Sequence, residues 1–323
     1  MSERIAVPAL ATVRDAAHEV VTRLAREMRR QERTVAGSGA GDAVHDMRVA
    51  TRRLRAALAV FRGVVVLPKA AHRGRLRWLA RRLGRVRDLD VRLALLEGQY
   101  LPQVAGEEAV RLAELVAELG EERRRSQRRL QRGLRRKRYR RLRTALAAWA
   151  RRPVYADGAG DEGAARFLTA AADRAAQRVS GHEAMRETRP SAEALHGLRI
   201  AVKWLRYTLD FHGETCGLAY DAERALARDL QDCLGEIRDH DLLAAALAAD
   251  GAGAWRQTTA RVKEGRHRLW RRFLELRRRW HAHTRPTLAV APFVEPRFVN
   301  LEVTPVQLRL VTPRRSVAAT IRA

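Results

Sequence analysis

Cysteine is almost absent from this 323-residue chain: Cys216 and Cys233 are the only two. That excludes a disulfide scaffold and a cysteine-built metal centre, and it fits a reducing cytoplasm. Long apolar runs are missing as well. No stretch approaches the roughly eighteen apolar residues of a membrane span, and the opening "MSERIAVPALATVRDAAHEV" has no signal-peptide core. The expectation is a soluble cytoplasmic protein with no membrane insertion. Acidic residues are scarce, 37 against 64 basic ones, and only Lys69, Lys137, Lys203 and Lys263 of those 64 are lysines.

What is present is arginine. The net charge is +27 and the pI about 11.5. A guanidinium offers a rigid fork of donors that fits phosphate oxygens in pairs, so an arginine-rich basic chain points to a polyanionic partner. A GC-rich genome would explain arginine replacing lysine, but not the charge itself. Hydrophobic residues make up 46%, enough for a sizeable core.

From about Ala9 to His283 apolar residues recur at three- and four-residue spacing among Ala, Leu, Arg and Glu, which predicts an all-α fold. Breaks are expected at residues 37–42, 64–69, 98–107, 151–161, 188–191 and 212–217, with weaker ones at 133–138 and 250–253. Residues 285–323 carry five prolines and alternating apolar residues, so they read as an extended or disordered tail.

The chain repeats itself. "AVHDMRVATRRLRAAL" at 43–58 returns as "ALHGLRIAVKWLRYTL" at 194–209, and "LGRVRDLDV" at Leu83 returns as "LGEIRDHDL" at Leu234. Both offsets are 151. The reading is two helical bundles of four-helix type related by pseudo-twofold symmetry, one over 9–152 and one over 161–284, joined by a linker at 153–160. "YRRL" at 139 and "WRRF" at 270 match at offset 131, which assigns about twenty extra residues to the first half, placed at an additional helix near 136–151.

The repeat separates retained charges from incidental ones. At about 100° per residue, His45, Arg48, Arg52 and Arg55 fall within roughly 80° of one another on a helix. His196, Arg199, Lys203 and Arg206 repeat the stripe. Arg53 is matched by Trp204, so it is a neighbour that the other half does without. The next helix carries Arg77, Ala80, Gly84 and Arg87 in one half and Arg228, Gln231, Gly235 and Arg238 in the other. A glycine inside a helix costs about 1 kcal/mol relative to Ala. Its return at a matched position points to close approach, whether by a ligand or a second helix. Asp88, Asp90, Asp239 and Asp241 either orient guanidinium groups or are ordinary helix-end carboxylates.

These motifs, "HDMRVATRRLR" with "LGRVRDLDV" and "HGLRIAVKWLR" with "LGEIRDHDL", resemble the paired signatures of the CHAD family over about residues 9–284. The resemblance implies two pseudo-symmetric helical bundles and a basic central surface that binds inorganic polyphosphate, often at polyphosphate granules. It carries over to His45, Arg48, Arg52, Arg55, His196, Arg199, Lys203 and Arg206, and by weaker match to Arg77, Arg87, Arg228 and Arg238. One departure is Asp232, which stands where the first half has Arg81, and it predicts a less basic second half. No E-x-E-x-K pattern of a fused triphosphate-hydrolysing domain occurs.

Other chemistries fit less well. Histidine phosphotransfer would not need the further cations of each stripe beyond the first. "HAH" at 281–283 has no matched ligands, and "DHD" at 239–241 has Leu89 in place of its histidine in the first half. No catalytic residue, metal or cofactor is therefore assigned, and the chain reads as a binding protein rather than an enzyme. Nucleic acid is the serious alternative partner. Single-strand binders interleave aromatics with cations to stack bases, whereas here only Trp204 and Tyr207 of one half lie among the stripes.

Overall fold

The structure is a computed structural model that describes residues 12–37, 41–217, 220–250 and 252–283. The expected tail at 285–323 lies outside the described residues. Thr12 begins the first helix with a capping box: its hydroxyl accepts from the Asp15 amide at 3.2 Å, and the Asp15 carboxylate accepts from the Thr12 amide at 3.3 Å. The first half then runs α1 (Val13–Arg30), α2 (Glu32–Ala36), α3 (Gly41–Val60), α4 (Arg73–Leu95), α5 (Glu107–Arg135) and α6 (Lys137–Arg151). The second runs α7 (Ala164–Ser180), α8 (Ala192–Cys216), α9 (Asp221–Ala249) and α10 (Arg256–His283). The fold is all-α, two helical bundles related by the repeat.

Two isolated bridges are the only β pairing among the described residues, and one of them marks the symmetry. Thr12 pairs antiparallel with Gly163, its own counterpart 151 residues on. Repeat-equivalent residues can pair with each other only where the pseudo-twofold axis passes between them. The histidine helices α3 and α8 also pack on each other. The linker is not a free tether: the Val66 amide donates to the Val154 carbonyl at 3.0 Å and the Ala156 amide to that of Val64 at 2.9 Å. Gly160, at φ +87°, lies so close to Val64 and Arg14 that a Cβ there would come within 2.9 Å of both.

Three apolar clusters hold the chain. One fills the first bundle, with Leu54, Phe61, Leu83 and Trp149, and takes in Trp204, Tyr207 and Phe211 from α8. A second fills the other bundle around Leu198, Leu230, Phe273 and Trp280. A third joins the halves away from the axis, where Leu89, Leu96, Tyr100 and Leu112 meet Leu243, Leu247, Trp255 and Val262. At that joint Glu108 of α5 caps α10, accepting from the amides of Gln257 at 2.9 Å and Thr258 at 2.6 Å and from the Thr258 hydroxyl at 2.7 Å. The halves are therefore fused through shared core, not merely tethered.

One sequence expectation changes. Residues 212–216, read as a break, continue α8 to Cys216, because His212 and Thr215 are buried and Gly217 supplies the left-handed stop at φ +66°. The helix at 137–151 agrees with the extra length expected of the first half: α5 and α6 hold 29 and 15 residues where α10 holds 28. α5 and α6 together do what the unbroken α10 does alone: Arg123 binds Asp90 as Arg266 binds Asp241, and the buried Trp149 of α6 sits 131 residues before the buried Trp280 of α10. The offset falls from 143 at Arg123 and Arg266 to 131 at Trp149 and Trp280, so twelve of the extra residues lie between Arg123 and Trp149, within α5 and α6.

Candidate functional basic cavity

The two glycines of the repeat make room for arginines. A Cβ on Gly84 would sit 3.5 Å from Nη1 of Arg48, and one on Gly235 would sit 3.7 Å from Nε of Arg199. The close approach is thus made by the matched arginine of the histidine helix, in both halves. One turn further on, Asp88 holds Arg48 at 3.6 Å, and Asp239 lies in the field of Arg199. Asp90 and Asp241 bind the Nε groups of Arg123 and Arg266 at 2.8 and 3.0 Å. Asp88, Asp90 and Asp241 therefore hold guanidinium groups, and Asp239 lies near one.

The stripes of α3 and α8 converge on a cavity of about 370 Å³ enclosed by α3, α4, α5 and α8. Arg48, Arg52, Arg55, Arg77, Arg199 and Lys203 line it as the motif predicted. Arg81, Arg82 and Arg85, whose counterparts Asp232, Cys233 and Glu236 are not basic, line it too, as does Arg129 of α5, which lies outside both repeated signatures. Ten cations thus face one carboxylate, that of Asp88. The electrostatics show the crowding: burial and then Arg77, Arg81 and Arg48 push Arg55 down to about 10. Arg52 is likewise lowered, first by burial and then by Arg48 and Arg206, with Tyr207 and Asp232 opposing. Buried Nε atoms of Arg52 and Arg199 have no hydrogen-bond partner.

Lys203 is the extreme case. Burial, then Arg199, Arg52, Arg55 and Arg48, bring its ammonium down to about 7. Among the described residues no carboxylate pairs with it. His196 falls to about 4, through burial and then Arg238, Arg199 and Lys203. Arg238 can only donate, so the 2.8 Å contact from its Nη1 makes Nδ1 of the neutral His196 the acceptor and leaves the proton on Nε2. His45 is lowered in the same way, by burial and then Arg87. Both rings are neutral donors at neutral pH, not cations.

Not every expected residue reaches the cavity. His45 with Arg87 and His196 with Arg238 flank it as matched pairs outside its wall. Arg206 reaches it only through Tyr207, whose ring lies 4.9 Å from the Arg206 guanidinium carbon and 5.6 Å from that of Arg52. Arg228 is exposed and lines nothing there, since the wall is made by α4 and not by its equivalent α9. Arg53, unmatched in the repeat, is a strut between halves: it pairs with Glu214 of α8, which also binds Arg23, and lies over Phe211. "HAH" is spent on local contacts, His281 with the Met185 carbonyl at 3.2 Å and His283 with Glu223 at 3.1 Å.

The family model described as the CHAD domain matches residues 19–248. The chain belongs to the CHAD family. Its fold is similar to the crystal structure of the CHAD domain from the plant Ricinus communis, with a TM-score of 0.66 and 26% identity over 89% of this chain and 98% of that one. It is also similar to PptA from Streptomyces chartreusis, with a TM-score of 0.62 and 19% identity over 84% of this chain and 99% of that one. A comparison with curated proteins returns no match. Among the described residues of this CHAD chain, no helix is long and apolar enough to cross a membrane.

Proposed function

We propose that the chain binds inorganic polyphosphate non-catalytically in the cavity between its two histidine helices, an activity that would bring it to polyphosphate granules. The observation that carries this reading is the convergence of ten cations on one carboxylate in a single cavity. Such a cluster repels itself unless an anion occupies it. Arg48 packs at Gly84 and pairs with Asp88, Arg199 packs at Gly235, and the neutral rings of His45 and His196 would add N–H donors. Release of condensed counterions from the polyanion would supply much of the affinity, as it does for nucleic acids.

Nucleic acid is the second reading, because any basic groove attracts it. The rings weigh against it. Trp78 is covered by Arg82 and Arg138 at 5.0 and 5.1 Å, Tyr207 by Arg206 and Arg52, and Trp204 is 8% exposed within the first-half core. Rings already faced by guanidinium groups offer little to a base. The test is competition at physiological salt. Long-chain polyphosphate should bind saturably, weaken with salt and survive excess RNA, and the double variant Arg52→Ala with Lys203→Ala should lose most of the affinity. Equal displacement by RNA at matched charge would overturn the reading in favour of nucleic acid.

A further inference from the structure

The cavity wall breaks the symmetry of the fold in one direction. Four α4 positions that line it, Trp78, Arg81, Arg82 and Arg85, correspond at offset 151 to Asp229, Asp232, Cys233 and Glu236 of α9. On α9 the acids neutralise arginines of α10: Asp229 lies 4.0 Å from Arg279 and Glu236 lies 3.6 Å from Arg272. Cys233 is buried, its thiol against the Leu269 carbonyl. The first half does the reverse. Arg82 is lowered by burial and then by Arg136, Arg138 and Arg129, so these four cations share one field, and among the described residues none of them pairs with a carboxylate. Arg82 and Arg129 belong to the cavity wall, Arg138 shares the Trp78 ring with Arg82, and Arg129, Arg136 and Arg138 are exposed.

We propose that a long polyphosphate leaves the central cavity on one side only, over the first half along Arg82, Arg129, Arg136 and Arg138, and that this track sets a preference for long chains over short ones. The proposal rests on the polyphosphate reading above. A chain too short to leave the cavity meets only its wall, whereas a longer one adds contacts to unpaired guanidinium groups. Toward α9 the same chain would meet Asp232 and arginines already paired with Asp229 and Glu236. Neutralised charge there and unpaired guanidinium groups on the opposite side fix the direction.

The experiment compares tripolyphosphate with long-chain polyphosphate on three full-length proteins: the wild type, a track variant (Arg129→Glu, Arg136→Glu, Arg138→Glu) and an α10 variant (Arg271→Glu, Arg272→Glu, Arg279→Glu). Both variants lose the same charge, so the overall field of the protein is matched. The expected result is long-chain affinity about tenfold lower in the track variant, with tripolyphosphate affinity nearly unchanged and the α10 variant close to wild type. Equal long-chain losses in both variants, or equal losses of both ligands in the track variant, would overturn the route while leaving central binding standing. A wild-type chain that binds neither ligand would sink the polyphosphate reading and the route with it. Melting curves check folding, and glutamine replaces glutamate at the same positions should the charge reversal unfold the track variant.

Discussion

Raising the pH from 6 to 8 should weaken polyphosphate binding about tenfold, and Lys203→Arg should remove most of that loss. In the ligand-free chain Lys203 is held at about 7. Its ammonium is therefore about nine-tenths protonated at pH 6 and about one-tenth at pH 8. A bound polyanion restores the charge and lifts the value well above 8, so at pH 8 binding must take up close to one proton. Affinity then falls by up to a factor of ten for each pH unit above about 7. Stability of the ligand-free fold has the opposite sign. The folded value lies below the unfolded value of about 10.4, so the unfolded chain holds the extra proton and stability rises from about pH 7 toward 10. The assay is affinity against pH, with calorimetry in two buffers of different ionisation enthalpy to count the proton. Arginine keeps its charge throughout, so any slope left in the variant belongs to His45 and His196, which a polyanion also raises. An unchanged slope in Lys203→Arg, or no proton uptake by the wild type, would refute the reasoning.

The glycine and the cap offer independent checks. Gly84→Ala places its methyl 3.5 Å from Arg48, an ordinary contact, so it should be tolerated and, by helix propensity, stabilise by up to about 1 kcal/mol. Gly84→Leu should instead push Arg48 from Asp88 and weaken polyphosphate binding several-fold; equal affinities for the two variants would show that the glycine serves packing alone. Glu108→Ala removes the cap on α10 and should cost about 1–2 kcal/mol, read as a lower midpoint in urea. Hydrogen bonds from Thr258 and Gln257 hold the Glu108 carboxyl below its usual range despite its partial burial. The cap's contribution is thus present above the ordinary glutamate value and fades as pH falls through the lowered one.

Much of the fold and half of the cavity wall are legible in the repeat. An offset of 151 between "HDMRVATRRLR" and "HGLRIAVKWLR" identifies the stripes, and the glycines of the next helix mark where arginines approach. The repeat detects only what both halves keep. It therefore missed Arg81, Arg82 and Arg85, whose counterparts are acidic or buried, and Arg129, which lies outside both signatures, and it promoted Arg228, which has a basic counterpart and no place in the wall. Arg53 likewise looked incidental because Trp204 replaces it. Where α8 crosses α3, the two carry different jobs: Arg53 grips Glu214 while Trp204 enters the first-half core.

The sequence by itself determined the helical class, the doubling of the chain and the identity of the paired stripes, because helix periodicity and a repeat offset are properties of residue order. Only the tertiary structure decided that the cavity belongs mostly to one half, that the histidines are neutral donors and that Lys203 titrates near neutrality. Those properties come from burial and from the charges that other helices bring alongside, and neither is written in the spacing of residues along a single helix.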